Sequence, residues 1–374
     1  MLQQMTKARD PIRYFAEIDA ALPVHFFCPT ALNARLNQFL KGFPGLVTYA
    51  VKANPSEAVI TRLWSGGLGG FDVASPEEID LVQRLCPKAA MHYNNPVRSR
   101  AEIAHGIRAG VVSWSVDEVG ELDKLIEAGA RGEVAVRFRL PVAGAVYNFG
   151  AKFGADLPEA VSLLARVAAA GFTPAITFHV GTQCADPSAY ATYVAAAADI
   201  ARVAGVTIAR LNVGGGFPSG RDGQEVDLTP FFDAIEGAMA AFDIRPALVC
   251  EPGRGLVADS FAYAVQVKSV RSGRVYLNDG IYGGLAEFTS MALPRFAVFG
   301  AKGGAKASET APLVVFGPTC DSIDTLRTTL DLPVDLAEGD WIVFGSMGAY
   351  LTGMTTRFNG YGEWSVVTVA ALDY

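Results

Sequence analysis

The sequence predicts an α/β fold, a TIM-like (β/α)8 barrel joined to an all-β domain, and three observations carry that prediction. Through the middle two thirds, short apolar runs that end in polar residues or glycine alternate with stretches whose apolar residues recur at helical spacing. There are eight such runs, the strand number of a (β/α)8 barrel, although an open doubly wound sheet would read similarly. After about residue 256 strand-like runs follow one another with few helices between them, as in an all-β domain.

In chain order, residues 1–29 contain an apolar run at 24–29 that is expected to join the β domain rather than the barrel. The barrel is expected over residues 30–255, with strands within 47–54, 70–75, 90–95, 111–117, 134–140, 175–181, 209–216 and 247–254. Helices are expected within 76–84, 118–128, 157–170, 189–204 and 229–242. Ser75 before Pro76-Glu77-Glu78, and Asp117 before Glu118, are expected N-caps, because a side-chain oxygen there can satisfy free amides. The β domain, residues 256–374, is expected to use strands within 261–270, 274–278, 311–316, 340–344 and 364–371. The segment 300–311, rich in Gly, Ala, Lys and Ser, reads as an exposed loop.

Composition narrows the function. Of 374 residues, 51% are hydrophobic and only 18% charged, so the chain can bury a large core and is not disordered. Lys and Arg number 31 against 38 acids, a net charge of -7 with no basic stripe, which speaks against nucleic acid as a partner. The apolar stretches 160–170 and 193–206 are interrupted by Arg166, Asp199 and Arg202, so neither is expected to span a membrane. Residues 1–13 mix both charge signs, unlike a signal peptide. The five cysteines are scattered and form no CxxC pair, which fits a reduced cytoplasm and offers no zinc or disulfide framework. A cytoplasmic protein without a metal is therefore expected.

Functional groups of such a barrel sit where its parallel strands end. Lys52 ends an otherwise apolar strand, where its amine can attack a carbonyl to give a Schiff base or simply reach out to solvent. His179 follows Ile176-Thr177-Phe178 and reads as a base, a donor, a flat surface for an aromatic ligand, or a satisfied core histidine. His25, His92 and His105 form no metal-ligand spacing with it. Gly214-Gly215-Gly216 follows a strand, as an anion cradle or a tight turn would, and lacks the third glycine of a dinucleotide fingerprint. Glu251-Pro252-Gly253-Arg254 brings a carboxylate and a guanidinium to one rim, or forms an ordinary turn with an ion pair.

Taken in order and spacing, these segments resemble the fold-type III pyridoxal-phosphate decarboxylases. Ala50-Val51-Lys52-Ala53-Asn54, Gly70-Phe71-Asp72-Val73-Ala74-Ser75, Phe178-His179-Val180-Gly181, the glycine triplet with Phe217-Pro218, and Glu251-Pro252-Gly253-Arg254 carry the likeness. Phe316-Gly317-Pro318-Thr319-Cys320-Asp321-Ser322, Gly348-Ala349-Tyr350 and Phe358-Asn359-Gly360-Tyr361 resemble the ornithine decarboxylase branch. Diaminopimelate decarboxylases usually carry Glu where Asp321 stands, and alanine racemases share the barrel but not the Cys-Asp segment.

The resemblance implies pyridoxal 5'-phosphate as cofactor, tethered at Lys52. It implies that Glu251 faces the ring nitrogen, that His179 lies on the ring face, and that Gly214, Gly215, Gly216, Gly253, Arg254, Thr182 and Tyr350 surround the phosphate. Asp72, Glu78 and Arg137 would support the cofactor, with Arg139 the alternative to Arg137. Cys320 would return a proton to the substrate's α-carbon, unless it is an inert thiol, while Asp321, Tyr350 and Phe358 would line the substrate site. In the family the two residues corresponding to Cys320 and Asp321 come from the second subunit of a head-to-tail homodimer. The implied activity is decarboxylation of L-ornithine or L-lysine to a diamine, in polyamine biosynthesis. Arginine or another diamino acid of a specialised pathway, and an inactive regulatory homologue, are the alternatives. The chain departs from the pattern where relatives carry a second substrate-binding acid: Ser290-Met291 stand there, with Glu287 the nearest carboxylate.

Overall fold

In the computed structural model of the chain, which describes residues 6–8, 10–17, 21–141, 151–306 and 309–374, eight parallel strands close into a barrel. They are Leu46–Ala50, Gly70–Val73, Ala90–Tyr93, Ser113–Val116, Glu133–Arg137, Thr173–Thr177, Arg210–Asn212 and Ala247–Cys250. Each pairs with its neighbour in sequence, and the last closes on the first through Val249 beside Leu46 and Cys250 beside Val47. Closure removes the open-sheet alternative. Two of these strands, Gly70–Val73 and Ser113–Val116, are buried at every position, as parallel strands covered on both faces by helices can be.

The chain divides into two compact units, Arg35–Pro218 with Val226–Leu256, and the remainder at both ends together with Ser219–Glu225. The first holds the barrel. Its helices start where the sequence offers acceptors: Ser75 Oγ accepts from the Glu78 amide, and Ser99 with Glu102 forms a reciprocal capping box. The expected cap at Asp117 is not formed. The helix begins at Val119, with Glu118 in the cap position, and Asp117 Oδ2 instead accepts the Gly154 N–H at 2.8 Å. Three helices escaped the sequence pattern, Pro29–Gly42, Glu57–Ser65 and Arg100–Arg108; asparagines break the first stripe, Thr61 and Arg62 the second, and histidine with glycine the third. The run at 209–216 is a strand only over Arg210–Asn212, because Gly214 and Gly216 take φ of +67° and +97°.

The second unit is built on a nine-stranded mixed sheet. Val24–Phe27 lies within it, antiparallel to Phe261–Arg271 and parallel to Ser365–Val369, so the N-terminal strand completes the β domain. Phe261–Arg271 serves two cores through its two-residue alternation. Tyr263, Val265 and Val267 join one apolar cluster, whereas Ala262 and Ala264 join another around Phe15, Phe26 and Trp341. Two further strands, Phe296–Phe299 and Leu330–Pro333, were not anticipated from the sequence, although they are as long as Arg274–Leu277 and Trp341–Phe344. The expected loop 300–311 is only partly one: Ala311 belongs to the strand Thr310–Phe316, and Lys306 is held by Asp340 at 2.8 Å, while residues 307–308 lie outside the described residues.

Candidate active site

The barrel strands end in a cluster of polar side chains. Lys52 stands in a single tight turn, Val51–Ala53, directly after the first barrel strand. Its Nζ lies 2.6 Å from Asp72 Oδ2 at the end of the next strand. The two partners differ in environment: the lysine side chain is 46% exposed and the aspartate 1%. Asp72 Oδ1 is buried and has no hydrogen-bond partner among the described residues. Behind it, Glu78 Oε2 accepts the Ala74 amide at 2.7 Å, and burial pushes its carboxyl up to about 7.

Glu251 follows the last barrel strand and is buried. Two carboxamides, those of Asn94 and Asn212, donate to its Oε1. Burial, then the Asp72 carboxylate, push the Glu251 carboxyl far above its ordinary range, against the opposing pull of Lys52, Asn212 and Arg137. His179 accepts the Gly181 N–H at Nδ1 (3.0 Å), which leaves the proton of the neutral ring on Nε2. Burial and the cations Arg137 and Lys52 pull its pKa down to about 3, so the ring is uncharged near neutrality.

Arg137, the last residue of its strand, lies 5.1 Å from the Phe153 ring and within the electrostatic field of Glu251, Asp117 and Asp72. Arg139 lies beyond the strand end and pairs with Asp156 at 3.0 Å, so Arg137 is the arginine of this cluster. The glycine triplet curls beside it. A Cβ at Gly215 would meet the Glu251 carbonyl at 2.8 Å and His179 Nε2 at 3.3 Å, and one at Gly214 would meet the Phe178 carbonyl at 2.2 Å. The Tyr190 hydroxyl holds the Gly215 carbonyl at 2.9 Å, which turns the loop's conformation into a fixed one. Gly253 precedes Arg254, a buried residue that opens the short helix Arg254–Val257, and Thr182 is half-buried after Gly181.

Cys320, Asp321, Tyr350 and Phe358 lie in the β unit. Cys320 is exposed, and its amide donates to Asn359 Oδ1 at 3.1 Å. Asp321 Oδ2 accepts the Tyr282 hydroxyl at 2.6 Å, and Phe358 packs on the Tyr282 ring at 4.8 Å. The Tyr282 bond, then the Ile323 amide, hold the Asp321 carboxyl below its ordinary range. Under this loop, buried Asp324 accepts from Ile281, Thr319 and the Thr319 hydroxyl, joining the two segments that carry Tyr282 and Cys320. Tyr350 takes φ of +63° at the start of the turn Leu351–Met354. Glu287 is buried against Arg221 at 3.8 Å, and Arg221 also reaches the Ala292 carbonyl. The nearest candidate for a second substrate acid is therefore already matched with a cation of its own unit. Sequence reasoning missed Asn94, Asn212 and Tyr282; the first two stand at barrel strand ends, where position alone marks them.

Residues 30–258 match the family of pyridoxal-dependent decarboxylases, pyridoxal binding domain. Over 347 residues the chain is 33% identical to an ornithine decarboxylase, chloroplastic, of Nicotiana glutinosa, covering 87% of this chain and 78% of that one. Its structure is similar to an arginine decarboxylase of Paramecium bursaria Chlorella virus bound to agmatine, with a TM-score of 0.85 and 27% identity over 94% of this chain and 98% of the other. A lysine decarboxylase from Selenomonas ruminantium aligns with a TM-score of 0.83 and 26% identity over 98% and 97%. The residues present fit pyridoxal phosphate. An aldehyde needs an amine, which Lys52 supplies; a ring nitrogen needs a buried acid, which Glu251 supplies; and a phosphate needs close backbone approach, which a Cβ at Gly215 would fill.

Proposed function

Since the chain belongs to the pyridoxal-dependent decarboxylases, we propose that it removes the α-carboxyl group of a basic amino acid, ornithine or lysine, to give the diamine. The observation that carries this reading is the convergence of Lys52, Asp72, His179, Arg137 and Glu251 on the rim of one barrel. Bound pyridoxal phosphate supplies an electron sink for the pair left on the α-carbon when CO2 departs.

The residues divide that work. Lys52 would tether the cofactor, and Asp72 would hold the lysine ammonium whenever that amine is free. Glu251 keeps a proton on the ring nitrogen. Neutral His179 would offer a flat face to the ring without adding a charge that would oppose a ring cation. Gly214, Gly215, Gly216, Gly253, Arg254 and Thr182 would hold the phosphate. Arg137, Asp72 and Glu78 would support the cofactor from around it.

In a homodimer, Cys320 and Asp321 of one copy serve the site of the other, with Phe358 lining it. Cys320 returns the proton to the α-carbon, and Asp321, oriented by Tyr282, meets the distal cation. Asp321 already accepts one bond at each oxygen, which suits the single-point ammonium of a diamino acid better than the two-toothed fork of a guanidinium. Ornithine and lysine therefore stand ahead of arginine. The diamine product suits a role in polyamine formation, in the cytoplasm.

The test is reduction of the loaded protein with borohydride, followed by peptide mapping. The pyridoxyl label is expected on Lys52. A label on another lysine, with activity intact, overturns the assignment.

A further inference from the structure

Glu251 is held in an unusual way. Asn94, just beyond the strand Ala90–Tyr93, and Asn212, the last residue of Arg210–Asn212, approach from different strands, and both donate to the same oxygen, Oε1. No donor among the described residues reaches Oε2. The orientation of each amide is fixed by its other end. Asn212 Oδ1 accepts the Gly214 N–H at 2.9 Å, so its NH2 group must face Glu251. Asn94 Oδ1 is buried with no partner among the described residues, and turning this amide over would set two acceptors against each other.

A buried acceptor without a partner costs stability, and an apolar side chain at position 94 would avoid that cost. The retained amide therefore serves Glu251 rather than the barrel. Asn212 does two things, since one carboxamide joins the glycine cradle to the carboxylate.

We propose that Asn94 and Asn212 are positioning residues that fix Glu251 through Oε1 and leave Oε2 to meet a cationic ring N–H group. This rests on the reading of Glu251 given under Proposed function. An NH2 group can donate but cannot accept, so both amides favour the ionised carboxylate over the protonated acid at that oxygen. They act with Lys52 and Arg137 against burial and the neighbouring Asp72 carboxylate, which favour the neutral acid. Neutral His179 adds no charge to this balance. A neutral Glu251 could not form the ion pair that keeps a ring nitrogen protonated.

The test uses Asn94→Ala and Asn212→Asp. The aspartate keeps an acceptor for Gly214 but loses the donor. In the apoprotein, the carboxylic-acid infrared band of Glu251, identified by its loss in Glu251→Gln, is titrated with pH. Its midpoint is expected to rise by about one pH unit in Asn94→Ala and further in Asn212→Asp. The apoprotein melting temperature of Asn94→Ala is expected to stay the same or rise. An unmoved midpoint in both variants overturns the proposal. In the loaded protein, the nitrogen-15 resonance of labelled cofactor should report a protonated ring in the wild type and partial loss of that proton in both variants. An unprotonated ring in the wild type, with the infrared shifts as expected, would instead overturn the assignment of Glu251 on which the proposal rests.

Discussion

The amine of Lys52 lies 2.6 Å from Asp72 Oδ2, and the aspartate, almost wholly buried, depends on that contact far more than the half-exposed lysine does. Removing the lysine leaves a buried carboxylate without its cation. Lys52→Ala is expected to abolish turnover and to lower the stability of the apoprotein by about 1–3 kcal/mol. Adding Asp72→Asn should restore much of the stability and none of the activity. Melting curves beside CO2 release separate the two; recovery of turnover in the double variant would contradict the role of Lys52.

Stability of the apoprotein should depend on pH through the buried carboxyls. Glu78 and Glu251 have folded pKa values raised above the unfolded ones, so they stabilise fully at low pH and lose that contribution as pH rises. For Glu78 the loss runs from the ordinary glutamate value to about 7, and for Glu251 it continues higher. His25 and His92, lowered to about 4, and His179, lowered to about 3, act oppositely, since their contribution is present above the ordinary histidine value and lost as pH falls. Above pH 7 the histidines are silent, and stability should fall by up to about 1.4 kcal/mol per pH unit for each titrating acid. Glu251→Gln should flatten that decline. Chemical denaturation across the range checks it, and an unchanged slope would count against Glu251 as its source.

Substrate selection should rest on Asp321 and not on Glu287. Asp321→Ala is expected to lower kcat/KM for ornithine and lysine by about tenfold or more, through the lost charge-assisted contact. Glu287→Gln should leave kcat/KM nearly unchanged but cost about 3 kcal/mol of stability, because Arg221 loses its acid. The opposite pattern, with selectivity following Glu287, would place that residue in the pocket.

A site shared between copies can be tested by mixing two inactive variants. Lys52→Ala and Cys320→Ala, after subunit exchange, should regain about a quarter of the wild-type sites, since half the dimers are mixed and each holds one intact site. No recovery after exchange has been verified by mass would contradict the shared arrangement.

The barrel was legible because its strands are apolar runs that stop at Asn54, Ser75, Asn95 or the glycine triplet, so strand ends and candidate residues coincide. Lys52, His179 and Glu251 were legible for the same reason. Asn94 and Asn212 were not, because an asparagine after a strand has the same pattern as a turn, and its value here comes from a glutamate on a different strand. Asp117 misled because a cap was expected of the nearest helix, whereas its side chain answers a glycine 37 residues away. Glu287 could be named as the nearest acid in sequence, but its pairing with Arg221 crosses from one segment of the β unit to another and has no local signature.

The central claim is that this barrel decarboxylates a basic amino acid. It is tested most directly by loading the purified protein with pyridoxal phosphate and measuring CO2 from carboxyl-labelled L-ornithine and L-lysine together with the amine formed. Equal amounts of CO2 and diamine are expected from at least one of them, and none from Lys52→Ala. Bound cofactor with no CO2 from either substrate would contradict it.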